Sequence, residues 1–119
     1  MKINFVLRKA SLNGGTKVVA IYADLLRNKG HDVRIISRQP SGYTAGDRVR
    51  ALCRGRLLPR VRPQGSTHLD GRDLDWRVAG HHGPLTERDI PEADVTIATW
   101  WETAEWVDAL PRSRGAKVY

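Results

Sequence analysis

The sequence predicts an α/β domain, doubly wound about a mostly parallel sheet. Three observations carry this. Apolar, β-forming runs recur at residues 2–7, 32–37 and 94–98. Segments of helical periodicity follow the first and the third of these runs. The first run, the helix behind it and the second run fit within one βαβ unit, a right-handed crossover that makes its two strands parallel.

Residues 2–7 hold Ile3, Phe5, Val6 and Leu7 in a nearly continuous apolar run, which suits a strand covered on both faces. Residues 16–29 read as a helix in which Val18, Val19, Tyr22, Leu25 and Leu26 recur at helical spacing and are expected to face the core. Lys29-Gly30 ends it, with a cation and a glycine where the helix dipole and the chain reversal favour them. Asp32–Ser37 forms the second strand.

The middle of the chain is less regular. Residues 47–58 fit a basic amphipathic helix, with Val49, Leu52, Cys53 and Leu57 on one side and arginines on the other, weakened by Gly55. Cys53 on that apolar side is expected to be a core residue. Residues 59–90 are rich in Pro, Gly, His and charge and read as an irregular excursion with a short strand at 76–79.

Order returns at Asp94–Ala98, a third clear strand. A helix then runs from Thr99 to Leu110 and stops at Pro111, with Thr99 and Glu102 at capping-box spacing. On its wheel Trp100, Ala104 and Val107 share the apolar side, with Trp106 and Leu110 at the flank, while Trp101 falls beside Glu105 and Asp108. Ala116–Tyr119 begins another strand where the sequence ends, which predicts a polypeptide that continues. The whole reads as one Rossmann-like domain over residues 1–119, with a basic excursion at about 38–90.

Composition narrows the function classes. With 40% apolar and 28% charged residues, the chain reads as soluble and globular. One cysteine excludes an internal disulfide and fits a reducing compartment. The start has neither the length nor the continuity of a signal peptide, and no run is long enough to span a bilayer. No metal site is expected: His81 and His82 are adjacent, not at ligand spacing, and Cys53 stands alone. Nearly all of the net charge of +7 comes from residues 38–62, where seven arginines face one acid, Asp47. A patch of this kind, here Arg48, Arg50, Arg54 and Arg56, attracts phosphates, anionic lipid or nucleic acid; a solvated helix face accounts for it equally.

In doubly wound sheets, ligands bind beyond the carboxyl ends of the strands, where the strand order reverses. Two segments reach that edge: the loop 8–16 and the turn at Thr99-Trp100. The loop carries Asn13-Gly14-Gly15-Thr16 into a helix start, where open backbone N–H groups favour an anion. A tight loop with close packing and no ligand explains the same residues. The G-x-G-x-x-G signature and its acid after the second strand are missing, and so is the P-loop pattern. Trp101, on the polar side of a first helical turn beside the cleft, suits a sugar- or lipid-facing surface, unless the 59–90 excursion covers it.

These residues resemble the opening of glycosyltransferase family 4. Its first strand, double glycine and helix correspond to residues 2–16 onward, and its Gly-His-x-Val entry to the second strand matches Gly30-His31-Asp32-Val33. Asp94–Ala104 is similar to a later strand-to-helix turn in bacterial polysaccharide members. The resemblance covers roughly residues 2–37 and 90–119. It implies the N-terminal, acceptor-side half of a two-domain GT-B enzyme using a nucleotide sugar as co-substrate, with no metal and with retention at the anomeric carbon. Gly14, Gly15 and Thr16 would approach the donor's phosphates, and Asn13, Thr99, Trp100, Trp101 and Glu102 would line the acceptor side. The family's donor-binding domain and its paired glutamates have no counterpart in this sequence. Its acid two residues after the glycines is replaced by Lys17. The acceptor implied is a glycan or a lipid-linked glycan, in the cytoplasm and at the inner membrane face. A nucleic-acid- or membrane-binding module using the arginine patch is the alternative. The patch has only Tyr43 as a nearby aromatic and no recognised nucleic-acid motif, which argues against nucleic acid.

Overall fold

The computed structural model describes residues 1–39, Cys53, Gly55 and 67–119. Five strands and two helices are described: β1 (Lys2–Leu7), α1 (Gly14–Asn28), β2 (Asp32–Ser37), β3 (Asp75–Val78), β4 (Val95–Ala98), α2 (Trp101–Asp108) and β5 (Ala116–Val118). A short 3-10 turn at Arg112–Arg114 precedes β5. The sheet has the order β3-β2-β1-β4-β5 and every pair is parallel. The order reverses between β2 and β4, on either side of β1, as a doubly wound α/β domain requires. No helix among the described residues is long and apolar enough to cross a membrane.

Alternation along the strands divides the core in two. Ile3, Phe5, Leu7, Val33 and Ile35 point to one face and pack with Val19, Ala20 and Ala23 of α1. Val6, Ile36 and Ala98 point to the other and pack with Trp106, Val107 and Leu110. Leu85 and Ile90, in the irregular segment before β4, complete that second core. The segment is pinned by Asp89, which accepts from the Thr86 N–H (2.9 Å), the Thr86 hydroxyl (3.1 Å) and His81 Nε2 (3.0 Å). Burial pushes the Asp89 pKa up, but these donors outweigh it and hold the carboxyl below its ordinary value.

The first strand, the second strand and the short strand in the excursion form within a residue of their expected positions. The core face of α1 is different. Its buried residues are Thr16, Val19, Ala20 and Ala23, and Leu26 is partly covered. Val18, Tyr22 and Leu25, expected in the core, are about half exposed, as is Ile21. Small side chains let the helix lie close to the sheet, and that close approach turns the bulkier stripe outward. α1 ends in a Schellman arrangement: Gly30 N–H bonds Arg27 O and His31 N–H bonds Leu26 O, with Gly30 at φ 89. Arg72 and Asp73 pair with Asp24 and Arg27, tying the approach to β3 onto the helix.

α2 begins later than Thr99. Its N-cap is Trp100, and no side chain of that residue caps it. Instead the Thr103 hydroxyl accepts from the Trp100 N–H (2.9 Å) and the Thr99 N–H (3.1 Å), and donates to Trp100 O (2.7 Å). The extended backbone of Trp100 (φ −154, ψ 157) takes its ring off the helix wheel, so it is exposed and not part of the core stripe. Trp106 is buried, with the Arg38 guanidinium 5.6 Å from its ring centre.

The expected helix over 47–58 lies largely outside the described residues. Gly55 has φ 69, a left-handed conformation that a right-handed helix does not pass through. Cys53 is exposed, not in the core; a side chain this small forfeits little apolar burial by facing water.

Candidate functional site

The carboxyl edge of the sheet is where loops from β1, β2, β3 and β4 emerge together, because all four strands run the same way. β1 leads into the loop 8–13 and α1; β4 leads into Thr99, Trp100 and α2. Two contacts join these loops. The Thr99 hydroxyl donates to Val6 O at 2.8 Å, and Arg8 Nε pairs with Glu102 at 2.8 Å. Glu102 is therefore held as the partner of Arg8, and is not the reciprocal half of a cap on Thr99.

Asn13 is the N-cap of α1, and its side chain accepts from the Thr16 N–H at 2.8 Å. The Lys17 N–H goes to Asn13 O at 3.2 Å. Thr16 itself is buried, and its hydroxyl accepts from the Ser11 N–H at 3.3 Å. The glycines thus belong to the first helical turn, not to the loop before it. Their two N–H groups are the ones at this helix start with no acceptor among the described residues.

Neither glycine is required by the chain's own geometry. Neither has a positive φ. A Cβ on Gly14 would meet nothing within 4 Å among the described residues, and one on Gly15 only Asn13 Oδ1 at 3.7 Å. The turn-or-packing explanation of the double glycine therefore loses its basis. Both glycines are exposed, and backbone N–H groups at a helix start favour an anion.

Trp101 is exposed at 62%, not covered, and Trp100 at 57%. Leu12, in the facing loop, is 59% exposed. The structure thus brings Asn13, Gly14, Gly15, Thr99, Trp100, Trp101 and Glu102 to one edge, with Thr16 beneath it. The patch residues Arg48, Arg50, Arg54 and Arg56 lie outside the described residues.

Sequence reasoning set aside a further pair at this edge. His81 follows β3, and its Nε2 lies 3.0 Å from both oxygens of Asp89. Such a contact fixes the imidazole's orientation. His82 Nδ1 is 3.4 Å from Gln39 O, beside the end of β2. The eight-residue separation of His81 and Asp89 follows no helical or strand period, so no pattern signals it. No group of three or more His, Cys, Asp or Glu side chains among the described residues is arranged to hold a metal.

The described residues define a Rossmann-like α/β domain. No family model, curated protein or solved structure matches the chain.

Proposed function

We propose that the chain is the acceptor-side domain of a nucleotide-sugar-dependent glycosyltransferase in polysaccharide or glycolipid assembly. The observation that carries this reading is the pair Gly14-Gly15: two exposed glycines at a helix start whose N–H groups have no acceptor among the described residues, and whose places neither a positive φ nor a close contact there requires. Transfer from a nucleotide sugar releases a diphosphate, and charge builds on its oxygens as the glycosidic bond breaks. Pre-oriented backbone donors and the positive end of α1 stabilise such charge without reorganising. Trp101 and Trp100 offer flat apolar faces on which a sugar ring packs. The resemblance to glycosyltransferase family 4 supports the same roles for these positions. The chain alone is expected to catalyse no transfer, since the family's donor-binding glutamates match nothing in it.

Ligand-observed NMR with UDP-, GDP- and ADP-sugars, NAD and single-stranded DNA tests the proposal. Saturable binding of one nucleoside-diphosphate sugar, competed by its nucleoside diphosphate, is expected. Preference for NAD or DNA, or no nucleotide binding at all, contradicts it.

A further inference from the structure

We infer that the acceptor sugar carries a protonated amine, held by Trp101 and Glu105 of α2 with Asp108 beyond them. The inference rests on the glycosyltransferase reading and names its acceptor class.

α2 carries three acids and no base. Glu102 is accounted for twice: it lies in the first turn, at the positive end of the helix, and it pairs with Arg8. Glu105 and Asp108 lie in the last turn, where the helix dipole disfavours an acid. Both are exposed. Among the described residues Glu105 has no ion pair, and the Asp108 carboxylate accepts only the Tyr119 hydroxyl, at 3.0 Å. Lys117 meets the helix end through the carbonyls of Asp108 and Leu110, both at 2.7 Å, and pairs with neither acid. Arg112 and Arg114, beyond Pro111, pair with neither acid, and nor do Lys9 and Lys17 of the opposite loop and helix start.

Trp101 lies one turn before Glu105 and two before Asp108, so the three share one side of α2. The opposite side holds Thr103, Trp106 and Val107, which are buried. Packing therefore uses none of the three. An exposed indole with a carboxylate one turn along suits a cation that also has apolar surface. The same helix holds such cations elsewhere within the chain: Arg8 sits on Glu102, and the Arg38 guanidinium lies 5.6 Å from the Trp106 ring centre. Trp101 and Glu105 are the ring and the acid left open among the described residues.

A sugar ring with an ammonium group uses both, its C–H face on the indole and its charge on the carboxylate. The two sides of the edge then differ in sign. Lys17 and the glycine N–H groups suit the donor's diphosphate, and Glu105 and Asp108 suit a cationic acceptor. A phosphate- or carboxylate-bearing sugar would meet like charge there. An arginine side chain also stacks on tryptophan. The place of Trp101, directly after the turn that leaves β4, favours the sugar, because small ligands bind at the carboxyl ends of such strands.

Ligand-observed NMR with methyl glucosaminide, methyl N-acetylglucosaminide and methyl glucoside tests this on the chain, in slightly acidic buffer where amine and carboxylates are both charged. The glucosaminide is expected to bind about tenfold more tightly than the two neutral sugars, with added salt narrowing the gap. Glu105→Gln should remove that preference, and Trp101→Ala should remove binding of all three. Both side chains are exposed, so circular dichroism should match the parent, and E105Q should melt no lower, since it relieves the helix dipole. Equal binding of the three sugars, or an undiminished preference in E105Q, overturns the inference; nucleotide-sugar binding in the same sample then leaves the underlying reading standing. Absence of nucleotide-sugar binding overturns both. Preference for an arginine-rich peptide over the glucosaminide overturns the inference in favour of a protein partner.

Discussion

At the amino edge of the sheet, one residue joins three strands. Asp94 accepts the Lys2 N–H on its side chain (2.6 Å) and the Ala116 N–H on its carbonyl (2.9 Å), and gives its own N–H to Lys2 O (2.9 Å). Met1 O accepts from Asp32 N–H, and Asn4 Nδ2 donates to Pro91 O at 2.6 Å. The carboxyl edge has ties of its own, such as Thr99–Val6 and Arg8–Glu102, but among the described residues it also has two glycine N–H groups without an acceptor and three exposed apolar side chains, Leu12, Trp100 and Trp101. The glycines follow the same division. Gly115, at the amino edge, has φ 104, and a Cβ there would run into Ala93 O and lie 2.8 Å from Asp94 O. Gly14 and Gly15 answer to neither constraint. The fold requires the glycine at one edge, and among the described residues it does not require the two at the other.

This contrast is open to substitution. Gly115→Ala should cost about 3 kcal/mol, from the left-handed φ and the overlap with the Ala93 carbonyl together, and should show as a lower midpoint in urea. Asp89 is the next test. Its lowered pKa means that its contribution is present above the ordinary value of 3.8 and is lost as the pH falls through the folded value. Asp89→Asn should cost about 1.5 kcal/mol at neutral pH and flatten the acid limb of the stability profile.

Smaller effects follow. Asn4 and Thr96 are register partners in β1 and β4, and Asn4 Oδ1 and Thr96 Oγ1 are buried without a hydrogen bond. Thr96→Val removes a hydroxyl that gains nothing from burial, and should raise stability by about 1 kcal/mol in the same urea titration. Serine at Val18 or Tyr22 should change stability by no more than about 0.5 kcal/mol, because both side chains face outward. A larger loss would mean that the outer face of α1 is covered.

The strands were legible in the sequence because a buried parallel strand is a short apolar run, and such runs as Ile3–Leu7 have few other readings. The turn at Gly30 was legible for a similar reason, since a helix followed by a left-handed residue calls for glycine. The packed side of α1 was not. A wheel weights bulk, whereas the contact with the sheet is made by Thr16, Ala20 and Ala23, whose small size is the reason they fit. Capping of α2 was misplaced because Thr99 and Glu102 have the right spacing, but Thr103 holds the better position. At the site, Gly14, Gly15 and Trp101 could be picked out from local pattern. Trp100 was placed at the edge with the Thr99-Trp100 turn, but its exposure was not legible, since it depends on one extended backbone residue, nor was His81–Asp89, which the irregular path before β4 brings together.

The central claim is that Gly14 and Gly15 are glycines for a ligand and not for the fold. Amide chemical shifts under titration with UDP, for the parent and for G14A/G15A, test it most directly. The account predicts saturable shifts at Gly14 and Gly15 in the parent and loss of that response in the variant. It also predicts that the variant is as stable as the parent, or more so by about 0.5 kcal/mol per site. A variant that unfolds, or that binds UDP as the parent does, would contradict it.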